Sequence, residues 1–482
     1  MPNPLILSVA TKATSTTGWR SPNDESRFLP NDINALIKFA QTAERGKFHN
    51  LFFIDHLSWF DVYGDSHEAS ARSGANATRV DPLITISALA THTENIGFVA
   101  TASTVSEHPY HFARRIASLD LLTKGRVGWN IVGSYIPSIG KNLLNGEPFP
   151  DHDDRYSKTE EYLDSLYELL LSSWRDDAVV YDKQNGIFAD PDAIREINHE
   201  GRFFKIKGPA ITEPTPQRFP LIAQAGNSER GVKFAAENAE LIYIGYDSLP
   251  KIKEIRRLAS EHFNRDPQNI KFITGISPVL GRTHEEAQAK YEAFKEKVDL
   301  EGNLVLFGGV TGIDLSGYDW DDDVDLPDKT NGIKSALENI KNKRQKIQTK
   351  RDIANRHWAN FHYGTAKELA DEIERLHKEF GIDGVNFSLN NFPESLDDLV
   401  DLLIPELQHR GLAQTEYAVE GGTLRENLNN NPGQTFLSGD HPAYNLRWRS
   451  GVSQKQFEAE LELYNKLKEE RRRGIANDTV RV

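Results

Sequence analysis

Short apolar runs separated by helix-length segments recur along the whole chain, and this alternation restricts the fold more than any other feature. The runs begin near Leu5, Leu51, Ile96, Val127, Leu221, Leu241, Ile270 and Val385. Each is continuous in apolar character and too short for a buried helix, which marks a strand covered on both faces. Helical segments lie between them, and a parallel strand needs such a crossover. Eight β-α units predict an α/β chain built as a (β/α)8 TIM barrel with insertions, rather than an open doubly wound sheet. A barrel of this kind needs roughly 250 residues. The chain has 482, and the excess falls mainly in 175–220, 299–360 and the tail after Leu412. We therefore expect a single barrel domain over 1–428, with insertions at 175–220 and 299–360, then a C-terminal extension over 429–482.

The stretch Ile116–Tyr135 shows the unit most clearly. Ile116, Leu119, Leu121 and Leu122 predict an apolar helical face, and Lys124-Gly125 a basic last turn and a stop. Val127–Val132 then reads as a buried strand that delivers Gly133-Ser134-Tyr135 at its C-terminal end. That end is where barrels place their sites.

Composition removes several function classes. A net charge of -14 argues against nucleic-acid binding. With no cysteine there are no disulfides, thiolate metal sites or Cys nucleophiles. No apolar run approaches a membrane span, and MPNPLILSVATK has neither the basic region nor the apolar core of a signal peptide. These features predict a cytoplasmic protein. No GxGxxG follows a strand, and Walker A and GxSxG sequences are absent. Asp319–Asp325 imitates the start of a calcium loop but fails at Val324 and Thr330, so no metal site is expected.

The strand ends offer Asp55-His56, Thr101–Thr104, Gly133–Tyr135, Gly226-Asn227-Ser228 and Phe387-Ser388. These are mostly neutral hydrogen-bonding groups, suited to the bed of a flat heterocyclic cofactor rather than to hydrolysis. Gly226-Asn227-Ser228 precedes a helix. It reads either as a phosphate cradle or as an ordinary N-cap with a turn glycine. His152 and Tyr156 are four apart at a helix start, so both can face one ligand, or merely form a polar first turn. Asp55 can accept a cofactor hydrogen bond, act as a base or pair with arginine. Trp129 is expected in the core, and His56, His108, His111, His357 and His362 in structural roles. Arg20, Arg72 and Arg79 can meet an anionic substrate or simply be solvated. Asp299–Asn360 is acidic early and basic late, either a solvated excursion or a lid over the barrel mouth.

The run ATASTVSEHPYHFARRIASLDLLTKGRVGWNIVGS resembles the signature region of the bacterial-luciferase-like flavin monooxygenases. The nearer resemblance is to the nitrilotriacetate monooxygenase component A branch, with the long-chain alkane and sulfone monooxygenases. TAERGKFHNLFFID, HDDRY, GRFFKIKGP, QAGNSERG and GGTLRENL carry it over roughly residues 5–428. The resemblance implies a luciferase-like barrel that binds reduced FMN and activates O2. It implies the oxygenase half of a two-component system, with a separate NAD(P)H-dependent flavin reductase supplying reduced FMN, and oxygen transfer to a small organic substrate through a flavin hydroperoxide. It also implies a homodimer or homotetramer. By position, Asp55, Thr101, Ser134, Tyr135, His152, Tyr156, Gly226, Asn227 and Ser228 become flavin contacts, with Ser103 beside Thr101. Asn130 and Tyr135 are candidates for the catalytic role. Relatives often carry a threonine where Gly133 stands and a serine where Asn227 stands; the substitution Gly133→Thr is expected to tighten FMN binding. A deazaflavin-dependent oxidoreductase on the same barrel and a non-catalytic flavin binder are the alternatives.

Overall fold

The computed structural model describes residues 3–11, 18–226, 228–327, 349–355 and 361–479, with side chains as far as Lys466. Eight parallel strands close on themselves: β1 (Ile6–Thr11), β2 (Asn50–Phe53), β3 (Gly97–Ser103), β4 (Val127–Val132), β5 (Leu221–Gln224), β6 (Leu241–Ile244), β7 (Lys271–Leu280) and β8 (Gly384–Ser388). Ser8 of β1 is in register with Asn50 of β2 and with Asn386 of β8, which closes the ring. All eight apolar runs are barrel strands. The connecting helices are α1 (Ile33–Arg45), α2 (Pro82–Leu89), α3 (Pro109–Leu122), α4 (His152–Tyr167), α5 (Glu229–Asn238), α6 (Lys251–Phe263) and α7 (Ala366–Phe380). The last return is contiguous helix, Glu394–Asp398, a π turn at Leu399–Leu403, then Ile404–His409.

Alternation along each strand sorts the core into two layers. Leu7, Val9, Leu51, Phe53, Phe98, Ala100, Trp129 and Ile131 pack against the helices. Ile6, Ala10, Phe52, Val99, Leu221, Ala223, Leu241, Tyr243 and Ile273 fill the barrel, joined by Leu424 and Leu428. These two leucines lie on the short helix Leu424–Asn429, which enters the barrel at the N-terminal ends of the strands. Gly97 makes room for it, since a Cβ there would stand 2.4 Å from Leu424 Cδ1. Beside the leucines, Arg425 is fully buried and meets the Glu240 carboxylate at 2.7 and 3.0 Å. It also donates to Phe219 O and Thr435 O. Those added acceptors make a dehydrated ion pair tolerable. Beyond it, Phe436, Leu437, Ala443 and Leu446 join the outer core, and Trp448 stacks on Phe457. The 175–220 insertion holds two small hairpins, Val179–Asp182 with Ile187–Ala189 and His199–Glu200 with Lys205–Ile206.

The α3 face differs from the expected one. Phe112, Ala113, Ile116, Ala117, Leu119 and Asp120 are buried, whereas Leu122 is 68% exposed. At about 100° per residue Leu122 lies some 240° round the helix from Ile116. Asp120 takes its place inward and accepts from Gln217 N and Nε2. The expected stop is real: Gly125 has φ +84° and its N–H returns to Asp120 O at 2.8 Å. Trp129 is buried, with Nε1 donating to Ala102 O. Among the described residues no helix is long and apolar enough to cross a membrane.

Candidate active site

The C-terminal strand ends carry three groups of polar residues in order around the rim, from β2 to β5. The first follows β2. Burial raises the Asp55 carboxyl above its usual range, and the Arg79 charge opposes that rise. His56 is pushed down to about 3 by burial and then by Arg79, so it is neutral at working pH. Its ring meets Tyr135, beyond β4, edge-on at 6.1 Å. Burial also raises the Tyr135 phenol, so it is a neutral hydroxyl.

Tyr135 packs into an apolar cluster of Phe60, Val105, Ile136, Ile139 and Val305. Val305 belongs to the helix Leu300–Thr311, the first part of the 299–360 insertion. Gly309 lets that helix close on Phe60, since a Cβ there would stand 2.3 Å from the ring. The described start of the insertion thus packs beside the β2–β4 side of the mouth. Its acidic and basic halves meet where Arg351 binds Asp321 at 2.8 Å. Residues 328–348 and 356–360, with most of the basic stretch and His357, lie outside the described residues.

The second group lines the upper barrel. Asn130 Nδ2 donates to Thr101 Oγ1 at 2.9 Å, while Asn130 Oδ1 is buried without a hydrogen-bond partner. Its neighbours Trp129 and Ile131 face the helices, so Asn130 faces the interior. Ser103 and Ser134 share a 2.7 Å hydrogen bond. Ser134 holds φ +56°, a left-handed conformation uncommon for serine and frequent at functional sites. A Cβ on Gly133 would face α4, 3.4 Å from Thr159 Oγ1. Below this group Phe52 and Tyr243 stack at 3.9 Å as an aromatic floor. Opposite, Gly245 and Gly275 are exposed, and a Cβ on either meets nothing within 4 Å. Gly275 sits in mid-strand, so the upper barrel is open there.

The third group joins α4 to the start of α5. His152 Nε2 lies 3.2 Å from Ser228 Oγ, which lies 3.4 Å from Tyr156 Oη. Ser228 caps α5 and accepts from Gly231 N at 3.1 Å. Gly226 and Gly231 form a cradle for the phenol: a Cβ on either would stand 2.7 Å from Tyr156 Oη. His152 and Tyr156 therefore do face one point, and it is a helix N-terminus, where backbone N–H groups and the dipole favour an anion. Asn227 lies outside the described residues. The remaining histidines take local roles: His108 caps α3 through Tyr110 N, His111 pairs with Glu107, and the His362 ring lies 6.2 Å from that of Tyr246.

Gly231 escaped the sequence reading, and Arg79 entered it only as one of three arginines that can meet an anion. Gly231 was legible as a glycine in the first turn of a helix, where only close packing justifies it. The burial of Arg79 had no sequence signal, because its loop has no periodicity.

The arrangement is an open well with an aromatic floor, neutral hydrogen-bonding walls and an anion-binding corner at one end. The family model for luciferase-like monooxygenases matches residues 8–384. A long-chain alkane monooxygenase of Geobacillus thermodenitrificans is 40% identical over 433 residues, covering 89% of this chain and 94% of that protein. Nitrilotriacetate monooxygenase component A of Aminobacter aminovorans is 34% identical over 427 residues, 85% of this chain and 92% of its own. The crystal structure of a riboflavin lyase with modified FMN and riboflavin superposes with a TM-score of 0.84 at 31% identity, covering 92% of this chain and all of that one. The chain belongs to the luciferase-like monooxygenase family and is a flavin-dependent monooxygenase.

Proposed function

We propose that this protein is the oxygenase of a two-component system, taking reduced FMN from a separate NAD(P)H-dependent flavin reductase and using O2 to oxygenate a small organic substrate. The observation that carries this reading is the convergence of His152, Tyr156 and Ser228 on the N-terminus of α5. It supplies a phosphate corner at one end of a well whose other walls suit a flat ring. The fit is specific in two respects. Gly226 and Gly231 leave the space that lets the Tyr156 hydroxyl reach the helix N-terminus, and the unpartnered Asn130 Oδ1 offers an acceptor to an N–H inside the barrel.

Ser228, His152 and the free backbone N–H groups would hold the phosphate, with Tyr156 donating beside them. Thr101, Asn130 and the Ser103–Ser134 pair would line the ring, while Asp55 and Tyr135 meet its far edge. Reduced FMN, when bound, supplies the electrons that activate O2. The protein orients the ring and keeps water from it. The Phe60, Val105, Ile136 and Val305 cluster does the latter on the β2–β4 side, with the helix Leu300–Thr311 as the described part of a lid.

The test is anaerobic titration with photoreduced FMN, followed by exposure to O2 and a substrate panel. Tight binding of reduced FMN and substrate-dependent O2 uptake support the reading. Preference for a reduced deazaflavin over reduced FMN would contradict it.

A further inference from the structure

Arg20 ends a short turn of helix after β1, Arg72 lies on the short helix Glu68–Ser73 and Arg79 on the loop after it, and the structure separates the three. Arg20 binds Asp299 and donates to Lys297 O. Arg72 is exposed, 3.3 Å from Glu301 and 3.7 Å from Glu68. Arg79 is half-buried, as Arg20 is, but unlike Arg20 it makes no ion pair with a carboxylate among the described residues. Neutral oxygens hold it instead. Nη1 donates to Ile54 O at 2.8 Å, while Nε and Nη2 both donate to Asn76 Oδ1, at 3.0 and 2.8 Å.

Those three bonds use three of the five guanidinium N–H groups. They also fix the plane of the fork. Its position is at the candidate site, because Ile54 directly follows β2, and Asp55 and Tyr135 are near enough to act on it electrostatically when ionised. Neither neutralises it at close range: Asp55 makes no ion pair with it, and Tyr135 is a neutral hydroxyl. The other nearby acid, Asp81, is engaged by Arg115 at 2.5 Å. A dehydrated guanidinium normally sits against a carboxylate. One that is oriented by neutral acceptors, with no carboxylate in contact, is set up to receive a planar anion in two parallel hydrogen bonds.

We propose that Arg79 is the receptor for a delocalised anion at the barrel mouth, presented either by a carboxylate of the substrate or by the deprotonated ring edge of the reduced flavin. The two sources share one chemistry, a planar charge spread over adjacent acceptors. The second source rests on the function proposed above; the first can be tested without flavin.

Arg79→Gln removes the charge, and Arg79→Lys keeps the charge but removes the fork. Both are compared with wild type after thermal melting has established folding. In one arm, reduced FMN is titrated anaerobically across the neutral pH range. In the other, flavin-free protein is titrated calorimetrically with butyrate and succinate, with butyramide and succinamide as neutral controls. If the flavin is the anion, Arg79→Gln weakens reduced FMN at least about tenfold and raises the pH at which the bound ring deprotonates, with Arg79→Lys in between. If the substrate is the anion, reduced FMN binding is unchanged, and the preference of wild type for carboxylate over amide disappears in both variants. Variants matching wild type within about twofold in both arms overturn the proposal. A wild type that prefers carboxylates but never binds reduced FMN overturns the function proposed above and leaves Arg79 standing.

Discussion

Replacing Ser228 with alanine separates a phosphate contact from a mere helix cap. Ser228 Oγ accepts from Gly231 N at 3.1 Å and stands within 3.4 Å of both His152 Nε2 and Tyr156 Oη. Losing the cap costs about 1 kcal/mol of stability, a modest drop in melting temperature. A hydrogen bond to a charged phosphate contributes roughly 1.5–3 kcal/mol. At about 1.4 kcal/mol per decade, Ser228→Ala should weaken FMN some 10- to 150-fold. Riboflavin has the same ring and no phosphate, so its affinity should change less than about twofold. Calorimetric titration of both ligands into both proteins gives the comparison. Equal weakening of FMN and riboflavin would refute the phosphate corner, because it would show that the substitution acts through the ring or the fold. Unchanged FMN affinity would refute it as well.

Other consequences follow from the same geometry. Gly231→Ala pushes against both the Tyr156 hydroxyl and the Gly226 carbonyl, so it should weaken FMN about tenfold or more and lower the melting temperature as well. Gly133→Thr points its Cβ at Thr159, so FMN affinity should stay within about twofold, against the gain that the sequence suggested; measured tightening would show that the hydroxyl reaches the ligand. Arg425→Met strands Glu240 in the barrel floor and should destabilise by about 3–5 kcal/mol in chemical denaturation, with Glu240→Gln added to it recovering part of the loss. His49 is held neutral by burial, pushed down to about 4, and its Nδ1 accepts from Leu7 N. The unfolded chain takes up that proton near pH 6.5. The stability from a neutral His49 is thus full above about pH 6.5 and is lost as pH falls toward 4, roughly 3 kcal/mol in all. His49→Gln keeps an acceptor and should flatten that acid-side fall; an unaltered slope would show that His49 does not contribute.

The barrel was legible because each strand is a bounded apolar run and helix-length segments separate the runs. Ser228 caps α5 as its position suggested. Leu122 misled, because four apolar residues near a helix end look like one face until the 100° steps are counted. Spacing alone brought His152 and Tyr156 to one point, since i and i+4 share a helix face. The Asn130–Thr101 contact joins neighbouring strands in register, which local pattern does not encode. Arg79 and Gly231 depend on what distant segments bring to them. The plugging of the barrel by Leu424–Asn429 was hidden for the same reason, although its capping box, Thr423 with Glu426, is a local signal.

The central claim is that this chain uses reduced FMN and O2 to oxygenate a substrate at the β2–β5 rim. The most direct measurement is the fate of isotopically heavy O2 supplied to protein loaded with reduced FMN. The panel should include a long-chain alkane, a dialkyl sulfide and an aminopolycarboxylate. The account predicts one heavy oxygen atom in the product for each flavin oxidised, with the label lost in the Ser228→Ala protein at limiting FMN and restored by excess. Product oxygen drawn from water instead of O2, or label transfer indifferent to FMN, would contradict it.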